Sequence, residues 1–289
     1  MKTPITWLHR FGRFPKQPLP APIITASPLA PPARICHAGA GKREEAVLVA
    51  IGILGSAGRM GRAIAEAIGE HNARIAGGVD AGGDARALAE RADVLVDFTV
   101  AAALPQHLAV ARETRTPLLI GTTGLTPAHH QAIDAAAQEI AVLQTGNTSL
   151  GVTLLARLVR EAAAILGPAW DIEIVEMHHR AKLDAPSGTA QLLGAAAAQG
   201  RGATLSELAV IGRAGLSGDR AEGTIGIASL RGGSVAGDHQ VVFAGPGERI
   251  ELGHRADNRA IFAHGAITAA RWLAGQPAGR YTMAEVLGL

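Results

Sequence analysis

Continuous apolar runs of strand length alternate with helical patterns through the first half of the chain. The first run, at 46–54, is apolar without interruption, as is usual for a strand that is buried on both faces of a sheet. Further strands are predicted at 74–79, 94–99, 117–120 and 140–144. Helical patterns follow the first strand and recur at about 102–114 and 126–138. Strands that alternate with helices predict a parallel sheet with right-handed crossovers.

The pattern changes after a long predicted helix at about 149–166. A strand is predicted at 171–179, and alternating apolar positions indicate later strands at 207–212, 224–231, 235–244 and 248–254. No long helical pattern lies between these later strands, so we expect them to pair mainly antiparallel. A last helix, at about 258–274, is expected to return to the first sheet.

These patterns predict an α/β fold: a Rossmann-like parallel sheet domain plus a second α+β domain with a largely antiparallel mixed sheet. The first domain is placed at 46–148 and completed by 258–289, and the second at 149–257. Residues 1–45 are basic and rich in proline and have no sustained apolar periodicity, so we expect a disordered extension. Two interpretations of it stay open: a targeting peptide, or a dispensable extension placed before the true start.

Charge and cysteine content exclude several classes of function. Residues 1–43 hold seven of the 27 basic residues and no acidic one, so the remaining 20 basic and 25 acidic residues give the body a net charge of −5. The body is therefore not a nucleic-acid binder by bulk charge. The single cysteine, Cys36, excludes a disulfide framework and a multi-cysteine zinc site. No apolar run reaches the roughly 18 residues of a membrane span.

A glycine-rich turn follows the first strand directly and precedes a helical pattern, which is the context of a dinucleotide-binding fingerprint. Its spacing is G-x-x-G-x-x-G. Gly55 permits the tight turn, Gly58 lets the backbone approach a pyrophosphate, and Gly61 lets the helix pack closely on the strand. The first amides of the helix then hold the phosphate oxygens. We predict cofactor contacts from Gly55, Ser56, Ala57, Gly58, Arg59 and Met60.

Polar residues at later strand ends extend this predicted site. Asp80 ends the second strand, where a carboxylate can accept hydrogen bonds from both ribose hydroxyls and repels a 2′-phosphate. Ala81 follows it in place of an arginine, so NADH is favoured over NADPH, although either or both remain open. Ligands bind at the carboxyl ends of parallel strands. We therefore expect further cofactor contacts from Gly121, Thr122, Thr123, Thr145, Gly146, Asn147 and Thr148.

The segment 176–190 carries the densest ionisable chemistry. His178, His179, Lys182 and Asp184 fall within seven positions, and a Pro-Ser-Gly-Thr turn and a helical run follow them. Proton-transfer groups thus precede helix-start amides that can hold an anion. Adjacent side chains of a strand face opposite ways, so the two histidines cannot share one role. The same argument disfavours a metal site, and none is predicted.

Three stretches, at 55–62, 121–124 and 176–190, together resemble the dihydrodipicolinate (4-hydroxy-tetrahydrodipicolinate) reductase family, and the resemblance spans about 47–289. It implies NAD(P)H-dependent reduction of 4-hydroxy-tetrahydrodipicolinate, through the cyclic imine, to tetrahydrodipicolinate in lysine and diaminopimelate biosynthesis. It also implies a cytoplasmic homotetramer that acts on a small dicarboxylate. By motif match, the acid/base groups are His178 and Lys182, and the substrate-binding residues are His179, Gly188 and Thr189.

Two other functions stay open. One is another two-domain NAD(P)-dependent dehydrogenase of an amino-acid pathway, against which the 178–189 segment argues. The other is a non-catalytic nicotinamide sensor, which would have no need of both His178 and Lys182.

Overall fold

The computed structural model describes residues 48–289, so the predicted extension at 1–45 lies outside the described residues. Within them, the strands are β1 (Val49–Leu54), β2 (Ala73–Val79), β3 (Val94–Asp97), β4 (Leu118–Ile120), β5 (Ala141–Gln144), β6 (Asp171–His178), β7 (Ala209–Ile211), β8 (Ile225–Arg231), β9 (Gly237–Gly245), β10 (Glu248–Ala256) and β11 (Gly279–Tyr281). The α-helices are α1 (Arg59–Ala67), α2 (Ala85–Ala89), α3 (Leu104–Thr114), α4 (Pro127–Ala136), α5 (Leu150–Leu166), α6 (Gly188–Gly200), α7 (Leu205–Leu208), α8 (Ala260–Leu273) and α9 (Met283–Val286). None of these helices is long and apolar enough to cross a membrane.

The first sheet has the strand order β11-β5-β4-β3-β1-β2, and all of its pairings are parallel. Side chains of α1 and α8 pack on one face of it, and side chains of α2, α3 and α4 pack on the other. Both faces are therefore buried, which explains the uninterrupted apolar runs of β1 and β3. The expected return of the last helix is confirmed, since α8 packs on this sheet and β11 extends it beside β5.

The second sheet is mixed, with the order β10-β9-β6-β8-β7. Two of its pairings, β6–β9 and β9–β10, are antiparallel, while β6–β8 and β7–β8 are parallel. The strands β6, β7 and β8 run in the same direction because α6 carries the chain back after β6 and the connection at 212–224 carries it back after β7. Helices α5 and α6 cover one face of this sheet.

One predicted strand differs from the structure. The segment 207–212 begins as the short helix α7, and only Ala209–Ile211 is a strand. A capping box explains the helix, because the Thr204 and Glu207 side chains each accept a hydrogen bond from the other residue's backbone amide. For the domain boundaries, we propose the division drawn from the sequence, with 46–148 and 258–289 around the first sheet and 149–257 around the second.

Candidate active site

The glycine turn between β1 and α1 is tightly folded and leads into the start of α1. Gly55 has a φ of +88°, and its amide donates to the Val79 carbonyl oxygen at 2.8 Å, which folds the turn against the end of β2. Residues 55–58 lead directly into α1, so the first amides of that helix point out of the turn. A cavity of about 480 Å³ opens beside the turn.

Asp80 lies at the edge of this cavity, as its predicted contact with the ribose requires. Its carboxylate accepts hydrogen bonds from Ser56 Oγ at 2.8 Å and from the Ala57 amide at 3.1 Å. The acid at the end of β2 is thus tied to the glycine turn. Arg59, at the start of α1, is exposed.

A second cavity, of about 210 Å³, lies at the ends of β4 and β5. It is lined by Met60, Phe98, Gly121, Thr145, Gly146, Asn147, Thr148 and Phe262. Six of the predicted cofactor residues therefore meet in one place. Thr122 is buried instead and donates to Asp97, so its side chain points away from the cavity.

Asp97 and His107 form a pair beside the larger cavity that the sequence reasoning missed. The Asp97 carboxylate is fully buried and accepts from His107 Nδ1 at 2.8 Å and from Thr99 Oγ1 at 2.6 Å. Burial raises the pKa of Asp97, but hydrogen bonds from His107 and Thr99 outweigh it and leave the pKa below its usual range. His107 lines the cavity. The available signal was an acid in an apolar strand, with a histidine ten positions later.

Asn147 joins the nucleotide-binding half to the segment after β6. Its Nδ2 donates to Thr189 Oγ1 at 3.0 Å, and its Oδ1 accepts from the Ser149 amide at 2.8 Å. Thr189 lies in the first turn of α6. A predicted cofactor residue and a predicted substrate residue therefore touch, as a hydride-transfer cleft requires.

The two adjacent histidines have different surroundings. His178, the last residue of β6, is buried, and its Nδ1 lies 2.6 Å from Glu176 Oε2. His179 is half-buried, and its Nε2 lies 3.0 Å from a guanidinium nitrogen of Arg259. These different surroundings are consistent with the expectation that the two histidines do not share one role. Arg259, beside the start of α8, was not singled out from the sequence.

Lys182 lies in the turn after β6. Its Nζ donates to both carboxylate oxygens of Asp184, at 2.8 and 2.9 Å, and its side chain is 19% exposed. The hydrogen bond from Lys182 lowers the pKa of Asp184. The ammonium group is therefore held by a neighbouring acid.

The start of α6 offers an anion site. Ser187 is the N-cap and its Oγ accepts from the Ala190 amide at 3.1 Å. The amides of Gly188 and Thr189 occupy the first turn, where a helix supplies no internal acceptor. A β-carbon added at Gly188 would meet no atom within 4 Å, so there is open space beside this residue.

Two groups, Arg231 and His239, support this segment from distant parts of the chain. Glu176 is fully buried, and Arg231 of β8 makes two hydrogen bonds to it, each 2.8 Å long. His239 of β9 contacts Ser187 Oγ through its Nε2 at 3.1 Å. Arg220 binds Asp171 and Glu173 instead of this segment. Within residues 48–289, no three His, Cys, Asp or Glu side chains are grouped as a metal site would need.

Acid is expected to destabilise the protein through His239. Burial, helped by the nearby His178, lowers the pKa of His239 from 6.5 to about 4. The unfolded chain takes up a proton below pH 6.5, whereas the folded state does so only near pH 4. Stability is therefore unaffected above pH 6.5 and falls by up to about 3 kcal/mol as the pH drops to 4.

The variant His239→Gln keeps a polar side chain but removes the titration. Denaturant unfolding at pH 7.5 and pH 4.5 should show a smaller loss of stability in the variant than in the wild type. An equal loss in both proteins would assign the acid sensitivity to other groups.

Known proteins resemble the chain throughout the described residues. The family profile described as dihydrodipicolinate reductase, N-terminus, matches residues 49–148, and the one described as dihydrodipicolinate reductase, C-terminus, matches residues 151–287. The 4-hydroxy-tetrahydrodipicolinate reductase of Zymomonas mobilis is 57% identical over 248 residues, which cover 83% of this chain and 98% of the relative. That of Beijerinckia indica is 50% identical over 261 residues, covering 82% and 96%.

Solved structures share the fold. A dipicolinate-bound dihydrodipicolinate reductase from Paenisporosarcina sp. TG-14 superimposes with a TM-score of 0.66 at 22% identity, covering 81% of this chain and 97% of that one. A DAP dehydrogenase of C. glutamicum in complex with DAP gives a TM-score of 0.52 at 14% identity, covering 83% and 94%. Both are two-part dehydrogenase folds of the kind predicted from the sequence.

Proposed function

This chain belongs to the dihydrodipicolinate reductase family, and from that premise we propose that it catalyses the NAD(P)H-dependent reduction of 4-hydroxy-tetrahydrodipicolinate, through the cyclic imine, to tetrahydrodipicolinate. The observation that carries the proposal is the Asn147–Thr189 hydrogen bond. It joins the predicted nicotinamide end of the first sheet to the segment that holds His178, Lys182 and the open start of α6. The step belongs to lysine and diaminopimelate biosynthesis.

The residues of the first sheet fit a dinucleotide. When bound, NAD(P)H supplies the hydride. The amides at the start of α1 bind the pyrophosphate, and Asp80 accepts hydrogen bonds from the ribose hydroxyls beside the larger cavity. Met60 and residues 145–148 line the smaller cavity, which takes the nicotinamide end.

The residues of the second half bind a dicarboxylate and move a proton. The amides of Gly188 and Thr189 bind one carboxylate, because they lie at the positive end of α6. His179 binds the substrate too, and Arg259 adds positive charge beside it. Hydride addition to a conjugated imine builds negative charge, so a proton has to arrive nearby. Lys182 and His178 are the acid/base groups for this proton transfer to the substrate.

We further propose a preference for NADH. Asp80 has no arginine beside it, since Ala81 follows, and a carboxylate at this place repels a 2′-phosphate. We expect kcat/KM to be about tenfold higher with NADH, which corresponds to a difference of roughly 1.4 kcal/mol. The variant Asp80→Asn should raise kcat/KM with NADPH, and so lower the ratio of kcat/KM with NADH to kcat/KM with NADPH. A wild type that prefers NADPH would contradict this assignment of Asp80.

The proposed reaction is tested by following the oxidation of NADH and NADPH with freshly prepared substrate. Turnover with at least one cofactor is expected, and none with either would contradict the reductase activity. A sensor would bind NADH with no turnover on any substrate. A dehydrogenase of another amino-acid pathway would instead reduce NAD(P)⁺ with its own substrate and leave this one unchanged.

We also propose a homotetramer in the cytoplasm, on the strength of the family resemblance. The face of the second sheet away from α5 and α6 carries Val175, Met177, Leu230 and Val242, and Leu230 is 50% exposed. Burying this face against another copy would remove apolar surface from water. Light scattering should give four times the chain mass of 29.6 kDa, and a monomer would contradict the proposal.

A further inference from the structure

We infer that Glu176 is a positioning residue for His178: its buried carboxylate, clamped by Arg231, fixes which imidazole nitrogen of His178 carries the proton. The inference rests on the proposed function, because it explains how one of the two acid/base groups is prepared for its role. The position of His178 in the sequence motif does not by itself say which ring nitrogen exchanges the proton, because a neutral imidazole has two tautomers.

The contact is set by the strand. Glu176 and His178 lie two residues apart on β6 and so project from the same face of the sheet. Their side chains meet at 2.6 Å between Oε2 and Nδ1, and Glu176 has no exposed surface. An ionised carboxylate only accepts hydrogen bonds, so Nδ1 must carry the hydrogen. Nε2 is then the nitrogen that can exchange a proton with the substrate.

Arg231 keeps the buried carboxylate ionised. Register places it directly opposite His178 across the parallel β6–β8 pair, and its two terminal nitrogens bind the two oxygens of Glu176 at 2.8 Å each. Burial raises the pKa of Glu176, but hydrogen bonds from Arg231, Ser229 and His178 outweigh it and lower the pKa to about 2. Without the arginine, a buried carboxylate would tend to take up a proton.

The same carboxylate also reaches the anion site. Oε1 accepts from the Ser187 amide at 3.2 Å, and Ser187 caps α6 at the residue before Gly188. One side chain therefore fixes both the imidazole of His178 and the start of the helix that binds the substrate carboxylate. Glu176 therefore links the position of the His178 ring to the position of the anion site.

The substitution Glu176→Gln tests the inference with almost no change in shape. Arg231 binds both oxygens of Glu176, but the Ser187 amide donates to Oε1 alone and cannot accept, so the carboxamide oxygen has to take the place of Oε1 and the Arg231 contact at Oε2 is lost. The amide nitrogen then faces His178 Nδ1 and donates to it, which reverses the tautomer. Loss of the orienting acid of a catalytic histidine costs about 10⁴-fold in a serine protease triad, and loss of a supporting partner typically costs about 10–100-fold. We expect kcat to fall about 100-fold, with KM for the substrate within about threefold of the wild type.

The matched control is Glu173→Gln on the same strand. Glu173 is also an arginine-bound carboxylate, held by Arg213 and Arg220, but it lies on the other face of β6. Its loss should leave kcat unchanged. An equal fall of kcat in the two variants, an unchanged kcat in Glu176→Gln, or a rise of KM alone would each overturn the inference.

A spectroscopic readout separates this inference from the proposed function. In ¹⁵N-labelled wild-type protein at neutral to mildly alkaline pH, the neutral His178 ring should carry its hydrogen on Nδ1, and in Glu176→Gln on Nε2. Hydrogen on Nε2 in the wild type overturns the inference whether or not the variant folds. Absence of turnover in a wild type that shows the Nδ1–H form would instead contradict the reductase activity.

Discussion

Replacing Lys182 by alanine is expected to lower kcat/KM by about 10³-fold while the protein stays folded. A positioned proton donor contributes about 10²–10⁴-fold to a rate, and the same ammonium group also binds an anionic substrate. Among residues 48–289, Nζ hydrogen-bonds Asp184 alone, in the turn after β6, and supports no part of either core. The loss should therefore appear in kinetics and not in stability.

Two further variants separate the roles of the lysine. Lys182→Arg keeps the positive charge but cannot release a proton at neutral pH, so KM should stay close to the wild type while kcat remains low. Leu183→Ala changes the neighbouring residue, which is 98% exposed, and should leave both parameters unchanged. Steady-state kinetics and thermal midpoints measure these effects. Full activity in Lys182→Ala would remove the residue from the mechanism.

The central strands of the first sheet could be predicted because they are buried on both faces, unlike β2 and β11 at its edges. Such strands are largely apolar runs, and β1, β3 and β4 stand out from the helices between them. The pairing of the second sheet could not be predicted in the same way. Its strands alternate in burial, as β6 does, and alternation is the same for parallel and antiparallel neighbours. The parallel pairing of β8 depends on two returns of the chain, through α6 and through the connection at 212–224.

The candidate site could likewise be predicted only in part from the sequence. His178, Lys182 and Gly188 are close because a strand, a turn and a helix start follow one another, and that order is visible in the sequence. Their partners are positioned by the register of strand pairing. Arg231 of β8 lies opposite His178, and His239 of β9 lies opposite Glu176. A register shift of one residue would turn either partner to the other face. These partners could therefore be found only once the pairing was known.

Replacing Gly61 by alanine is expected to weaken NADH binding about 100-fold and to destabilise the fold by about 2 kcal/mol. An added β-carbon would lie 2.7 Å from both Ser56 Cα and the Ser56 carbonyl oxygen, and closer still to the Gly55 carbonyl oxygen. All three atoms are backbone, so no side-chain rotation relieves the clash. Helix α1 has to move away from the glycine turn, and the amides that bind the pyrophosphate move with it.

Gly69→Ala is the matched control, because it adds the same methyl group just after α1, where no atom lies within 4 Å. Its NADH affinity should equal that of the wild type, and its stability should be equal or slightly higher, since alanine restricts the unfolded chain. Fluorescence titration with NADH and urea unfolding measure both quantities.

The displacement of α1 causes both expected losses in Gly61→Ala, that of NADH affinity and that of stability. Measuring stability with and without NADH tests this common cause. A ligand that binds only the folded state raises stability by RT ln(1 + [L]/Kd). At an NADH concentration of about 100 times the wild-type Kd, the wild type should gain about 2.7 kcal/mol, whereas a variant with a 100-fold weaker Kd should gain only about 0.4 kcal/mol. A variant that is destabilised without NADH but gains as much from it as the wild type would show that α1 packs poorly yet still presents its amides. In that case the close approach of helix and turn at Gly61 would serve the core alone and not the cofactor.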